Sequence, residues 1–100
     1  MTIQGDANST YFTSDATTDG QTSTAHRQRF LGAVLTAGSG AAATLDIYDG
    51  QSASGTLILS LRCVTSGQAS YTVPAMGKVC ATNIFADIGG SGATATIYWN

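Results

Sequence analysis

Hydrolytic chemistry needs a nucleophile, a base and an acid that orients the base. The chain has one histidine, His26, with Ser23, Asp19 and Asp15 close by in sequence. All four fall in a Thr-, Ser- and Asp-rich stretch that offers no rigid support, whereas catalytic groups must be preorganised. His26 therefore reads as a solvated loop residue. Glycoside hydrolysis needs two carboxylates astride a bond. Asp46, Asp49 and Asp87 are available, but Asp46 and Asp87 occupy strand positions expected to face solvent. Asp46-Ile47-Tyr48-Asp49 is too sparse in oxygen ligands for calcium. Cys63 and Cys80 have no third or fourth ligand nearby, which argues against zinc. They read as small buried apolar residues, with a bridge between them open if their strands adjoin. Gly38-Ser39-Gly40 and Gly89-Gly90-Ser91-Gly92 lack the Lys and the following helix of a phosphate loop, so they read as hairpin turns. The expectation is a protein that is not an enzyme, with no catalytic residue, cofactor or metal.

The elements that hold these residues are strands. From Arg27 onward the apolar period is two. Leu31, Ala33 and Leu35 alternate with Phe30, Gly32 and Val34. Ala43, Leu45 and Ile47 alternate with Thr44, Asp46 and Tyr48, and Asp49-Gly50 ends that run. Leu57, Leu59, Leu61 and Cys63 alternate with Ile58, Ser60, Arg62 and Val64. Tyr71-Thr72-Val73 is stopped by Pro74, Val79-Cys80 is a further short strand, and 84–88 and 93–99 flank the last glycine turn. About seven short strands and no helical pattern predict an all-β fold, an antiparallel β-sandwich (jelly-roll or immunoglobulin-like) or a small barrel. The predicted core is Leu31, Ala33, Leu35, Leu45, Ile47, Leu57, Leu59, Leu61, Ile84, Ala95 and Ile97. It is thin in large side chains, so association is expected to supplement its stability.

One internal echo stands out. Gly38-Ser39-Gly40 precedes Ala43-Thr44-Leu45-Asp46-Ile47-Tyr48, and Gly90-Ser91-Gly92 precedes Ala93-Thr94-Ala95-Thr96-Ile97-Tyr98. Two hairpins obeying the same turn-to-strand grammar account for it. Ile47 and Ile97 should point inward, with Tyr48 and Tyr98 on the opposite side.

Residues 1–25 form a second compositional region. Their large apolar residues are few, which leaves little surface to offset ordering entropy. They are expected to be an extended N-terminal arm anchored by Tyr11 and Phe12, with residues 26–100 as the sandwich domain. The alternative is that 10–13 is simply the first strand.

Charge narrows the function classes. In 100 residues only 10% are charged, Glu is absent, and the net charge is −2. That argues against nucleic acid and anionic membranes as partners, since such binders carry basic patches. No basic and apolar leader opens the chain, and no apolar run approaches the roughly 20 residues that span a bilayer. The expectation is a soluble protein made in a cytoplasm. A surface built of Thr, Ser, Ala, Asn and Gly lacks the Lys and Glu that keep lone proteins and strand edges apart. This suits faces covered by identical copies or by a lattice. Arg27 and Arg29 are candidates for pairing with an acidic partner, and Tyr48, Tyr98 and Trp99 for partner contact.

The stretches 29–38, Ala43-Thr44-Leu45-Asp46-Ile47-Tyr48-Asp49-Gly50 and Ser54-Gly55-Thr56-Leu57-Ile58-Leu59, with Ala93-Thr94-Ala95-Thr96-Ile97-Tyr98-Trp99 at the end, resemble small structural proteins of tailed phages. The resemblance covers roughly residues 29–99 and consists of strand-and-turn grammar. It implies a virion β-sandwich that decorates and cements the capsid by bridging major capsid protein subunits, often as a trimer. The expected location is the capsid surface after assembly in the host cytoplasm. A tail or connector component, or a carbohydrate-binding or adhesin module using Tyr48, Tyr98 and Trp99, remains an alternative.

Overall fold

A computed structural model describes residues 8–20, 27–74 and 77–100. The described residues form nine strands: β1 (Asn8–Phe12), β2 (Ala16–Thr17), β3 (Gln28–Thr36), β4 (Ala43–Asp49), β5 (Thr56–Cys63), β6 (Gln68–Thr72), β7 (Lys78–Cys80), β8 (Ile84–Gly89) and β9 (Thr94–Trp99). One sheet runs β1-β9-β3-β6, with β7 also pairing β3, and the other runs β2-β8-β4-β5. Every pairing is antiparallel.

The pairings are nested. β4 pairs β5, β3 pairs β6 and β7, β2 pairs β8, and β1 pairs β9. The chain is thus one long hairpin whose successive strand pairs alternate between two sheets. That wrapping is the jelly roll, an architecture found in viral capsid and lectin domains. Of the two sandwich topologies expected from the sequence, the strand order selects this one.

Alternation fills the space between the sheets. Leu35, Leu45, Ile47, Ile84 and Ile97 are fully buried, with Ala33, Ala43, Ala86 and Ala95 between them. Ile47 and Ile97 both point inward, while Tyr48 and Tyr98 lie outside, as the echo predicts. The echoed strands belong to opposite sheets, and their glycine turns meet at one end of the sandwich. A Cβ at Gly90 would stand 2.3 Å from the Ala42 carbonyl, and its φ of +108° also favours glycine.

Two β-bulges correct the core expected from strict alternation. The first lies between Phe30 and Gly32. Phe30 takes the inward place at 2% exposure, and Leu31 is left only half-buried. The second lies between Ile47 and Tyr48 opposite β5, where Ile47 faces Leu59 but Tyr48 faces Leu57. The extra residue, Ile58, reverses the phase of the strand. Leu57 therefore joins Tyr48 on the outside and is 52% exposed, instead of entering the core. Leu59 and Leu61 are partly buried and pack against the core from the edge strand.

In residues 8–20, the described part of the segment expected to be an arm, two strands joined by a bend are hydrogen-bonded into the two sheets. β1 lies along β9, and β2 along β8. Residues 1–7 and 21–26 lie outside the described residues. A buried polar chain ties this segment down. Thr18 Oγ1 donates to Gln28 Oε1 (2.6 Å), and Gln28 Nε2 donates to Asp19 Oδ2 (3.0 Å). Asn83 Nδ2 donates to Asp19 Oδ1 (3.3 Å), and the Ile84 N–H donates to Asn83 Oδ1 (2.8 Å). The chain spans both sheets, so it fixes their relative placement as well as the segment.

Candidate functional site

Three of the aspartates, Asp49, Asp19 and Asp15, are engaged in holding the fold. Asp49 accepts the Ala81 and Thr82 N–H groups, each at 3.0 Å, and so shapes the loop before β8. Asp19 belongs to the buried polar chain, and Asp15 accepts the Ile88 N–H at 2.8 Å. His26 and Ser23 lie outside the described residues. Among the described residues, no group of three or more His, Cys, Asp and Glu side chains is placed to hold a metal ion. The two cysteines are free thiols, Cys63 half-buried and Cys80 buried. Burial, reinforced by the Asp49 charge, pushes the Cys80 thiol up to about 11, while Lys78 acts in the opposite direction.

What the chain offers is surface of three kinds. The outer face of the four-stranded sheet is acidic. Asp46 stands directly opposite Asp87 across β4 and β8, and Asp15 shares a side-chain hydrogen bond with Asp87. Partial burial, then the Asp15 charge and hydrogen bond, then the Asp46 charge, hold the Asp87 carboxyl above its ordinary value. Asp46 behaves oppositely. Burial would raise it, but the Ser60 hydroxyl and Arg62 Nη1, at 2.7 and 2.9 Å, bring it below the ordinary value. Beside this row Tyr48 packs against Phe85, ring centroids 6.5 Å apart and tilted at 51°.

The outer face of the five-stranded sheet is uncharged over its middle. Three cross-strand rows cover it: Gln68, Thr36 and Thr94; then Ser70, Val34, Thr96 and Tyr11; then Thr72, Gly32, Tyr98 and Ser9. Tyr11 is 65% exposed and Tyr98 43%.

The third surface is the open side where β5 and β6 end their sheets. A cleft of about 370 Å³ enters between them, lined chiefly by Phe30, Leu57, Ile58, Leu59, Tyr71 and Val73, with Lys78 its single charged residue. Val64 in the β5–β6 connection is exposed as well.

The contact candidates read from sequence are dispersed over these surfaces. Tyr11 and Tyr98 share the uncharged face, whereas Tyr48 is on the acidic one. Phe12 is turned into the core at 2% exposure. Trp99 is half-buried against the core, and its indole N–H donates to Thr10 Oγ1 at 2.9 Å. The aromatic platform of Tyr48, Tyr98 and Trp99 is therefore not formed: successive positions in β9 turn Tyr98 and Trp99 to opposite faces, and Tyr48 lies on the other sheet. Arg27 is exposed just before β3. Arg29 is half-buried, and its backbone exchanges hydrogen bonds with Asn100 at 2.8 and 3.0 Å. Leu57, Val64 and Tyr71, exposed on the open side, were not among the contact candidates legible in sequence. Only Tyr71 carried a signal, an aromatic in a short strand ahead of a proline.

Comparison with protein-family models, with curated proteins and with solved structures returns no match to this chain. The fold itself defines the class: an all-β antiparallel sandwich of jelly-roll topology.

Proposed function

We propose that this chain is a virion structural protein of the capsid-decoration kind, which cements a phage head by bridging major capsid protein subunits. The observation that carries the reading is the open side, where two edge strands and an apolar cleft lie together with little charge. Edge strands expose unpaired backbone groups, and lone proteins protect them with charge. Here Leu57 and Tyr71 flank the cleft at 52% and 45% exposure, and Arg62 is drawn away to Asp46. Such a side suits a neighbour that supplies apolar contacts and a strand. Interfaces are depleted of charge and enriched in aromatics at their centres. The jelly-roll wrap and the strand-and-turn resemblance to tailed-phage structural proteins support the same reading.

The mechanism is mechanical. Each copy sits across a seam between subunits, contacts further copies in a trimer, and holds weakly at any one place. Repetition over the lattice multiplies weak contacts into firm attachment. The test is an electron-microscopic reconstruction of heads assembled with and without the protein. Density astride the seams at repeated lattice positions is expected. Density confined to the tail or connector, or none, overturns the proposal.

A further inference from the structure

We infer that the outer face of the five-stranded sheet binds a neutral saccharide, seated in the depression over Gly32 and bounded by Tyr98. The depression measures about 380 Å³ and is lined by Leu31, Gly32, Val34, Ser70, Thr72 and Tyr98, among others. It exists because position 32 has no side chain. A Cβ there would stand 2.8 Å from the Tyr71 carbonyl oxygen and would crowd the floor. Tyr98 stands directly opposite Gly32 on β9, and Ser70 and Thr72 face the depression from β6. Tyr11 extends the aromatic surface, lying diagonally next to Tyr98 across β1 and β9.

The chemistry of this face selects the ligand. A sugar ring presents a C–H face and a rim of hydroxyls. An exposed tyrosine ring takes the first, because it offers apolar area with a polar tip. Serine and threonine hydroxyls take the second, since each both donates and accepts. Ser70, Thr72 and Tyr98 are exposed, and their hydroxyls have no partner among the described residues. A mostly apolar concavity with a few polar groups is the usual form of a small-ligand site. No charged residue occurs in the three rows, so a phosphate, a sulfated glycan or a nucleic acid finds no counter-charge there. The acidic face across the sandwich, with Asp15, Asp46 and Asp87, is the opposite in character. The depression opens on the outer face of β6 and the cleft on its inner side, with Tyr71 lining both; the inference does not rest on the capsid reading.

The test is affinity electrophoresis of the full chain through gels holding dextran, xylan, mannan or mixed-linkage glucan, together with an array of neutral and acidic oligosaccharides. Retardation by at least one neutral polysaccharide is expected. Tyr98→Ala and Tyr11→Ala should each weaken it, Tyr98→Ala by roughly tenfold, the size of one lost ring-stacking contact. Ser70→Leu, which fills the depression from an exposed edge position, should abolish it while circular dichroism stays unchanged. Tyr48→Ala, on the other face, should leave it intact. Absence of binding across the whole panel, binding to acidic glycans alone, or binding that survives Ser70→Leu overturns the inference. A Tyr98→Ala variant that fails to fold shifts the decision to Ser70→Leu and Tyr11→Ala, both at exposed positions.

Discussion

Replacing Asp87 by Asn should stabilise the protein at neutral pH. Asp87 stands directly opposite Asp46 and is hydrogen-bonded to Asp15, so three carboxyl groups form one cross-strand row. Like charges directly opposite act against a sheet, and such cross-strand pairs shift stability by roughly 0.2–1 kcal/mol. Two unit charges about 5 Å apart in water repel by roughly 0.8 kcal/mol. Asp87 meets two carboxylates, but the row touches water and Arg62 offsets Asp46, so screening reduces the sum. The expected gain is about 0.5–1 kcal/mol at low salt, smaller at ~1 M salt. The sign follows from linkage. The Asp87 carboxyl is held above its ordinary value by burial, Asp15 and Asp46, so the folded state binds its proton more tightly than the unfolded chain does. Its contribution to stability is present at low pH and is lost as pH rises through the folded value. The gap between Asp87→Asn and the parent should therefore be smallest below the ordinary carboxylate range, widen as pH rises through the folded value and be largest at neutral pH. Urea unfolding followed by Trp99 fluorescence over that range measures it. A destabilised variant at neutral pH, or a gap independent of pH, refutes the reasoning.

Further outcomes follow from other contacts. Phe12→Ala should cost about 3–5 kcal/mol, because Phe12 is in the core; a change below ~1 kcal/mol by urea unfolding would mean that β1 is not part of the folded unit. Asp49→Ala should cost about 1–3 kcal/mol, since it leaves the Ala81 and Thr82 N–H groups without their acceptor; equal urea midpoints would contradict this. Arg62→Ala should let the Asp46 carboxyl rise toward its ordinary value, because Arg62 helps to hold it down. The stability from that pair is present above the ordinary carboxylate range and is lost on acidification; NMR titration of the Asp46 carboxyl carbon reads the shift. Cys63 should react with a thiol reagent well before Cys80, whose burial raises its thiol to about 11; equal rates would contradict the placement.

The strands that alternate cleanly were legible in sequence. Ala43 to Tyr48 and Ala95 to Tyr98 place their isoleucines inside and their tyrosines outside, as their period of two requires. The bulges at Leu31 and Ile58 were not legible, because one extra residue reverses the phase without altering composition. That reversal puts Leu57 on the surface and so helps create the apolar open side. The strand at 8–12 was obscured for another reason. Its pairing with β9 is made by main-chain groups, to which a composition of Asn, Ser and Thr is no guide. Only Tyr11 and Phe12 marked it, and an aromatic pair in a polar segment reads equally as an anchor on a partner. The engagement of Asp19 with Gln28 and Asn83 joins residues far apart in sequence, and no local pattern reports it.

In the proposed function, attachment to a repeating shell runs through the side where β5 and β6 end. The direct measurement is co-sedimentation of the purified full chain with phage heads that lack it, over a range of concentrations. Saturation at a fixed number of copies per capsid subunit is expected, with uptake sharply reduced for Leu57→Asp, whose site is exposed and outside the core. Absence of the protein from the pelleted heads, uptake that never saturates, or undiminished uptake of Leu57→Asp would contradict it.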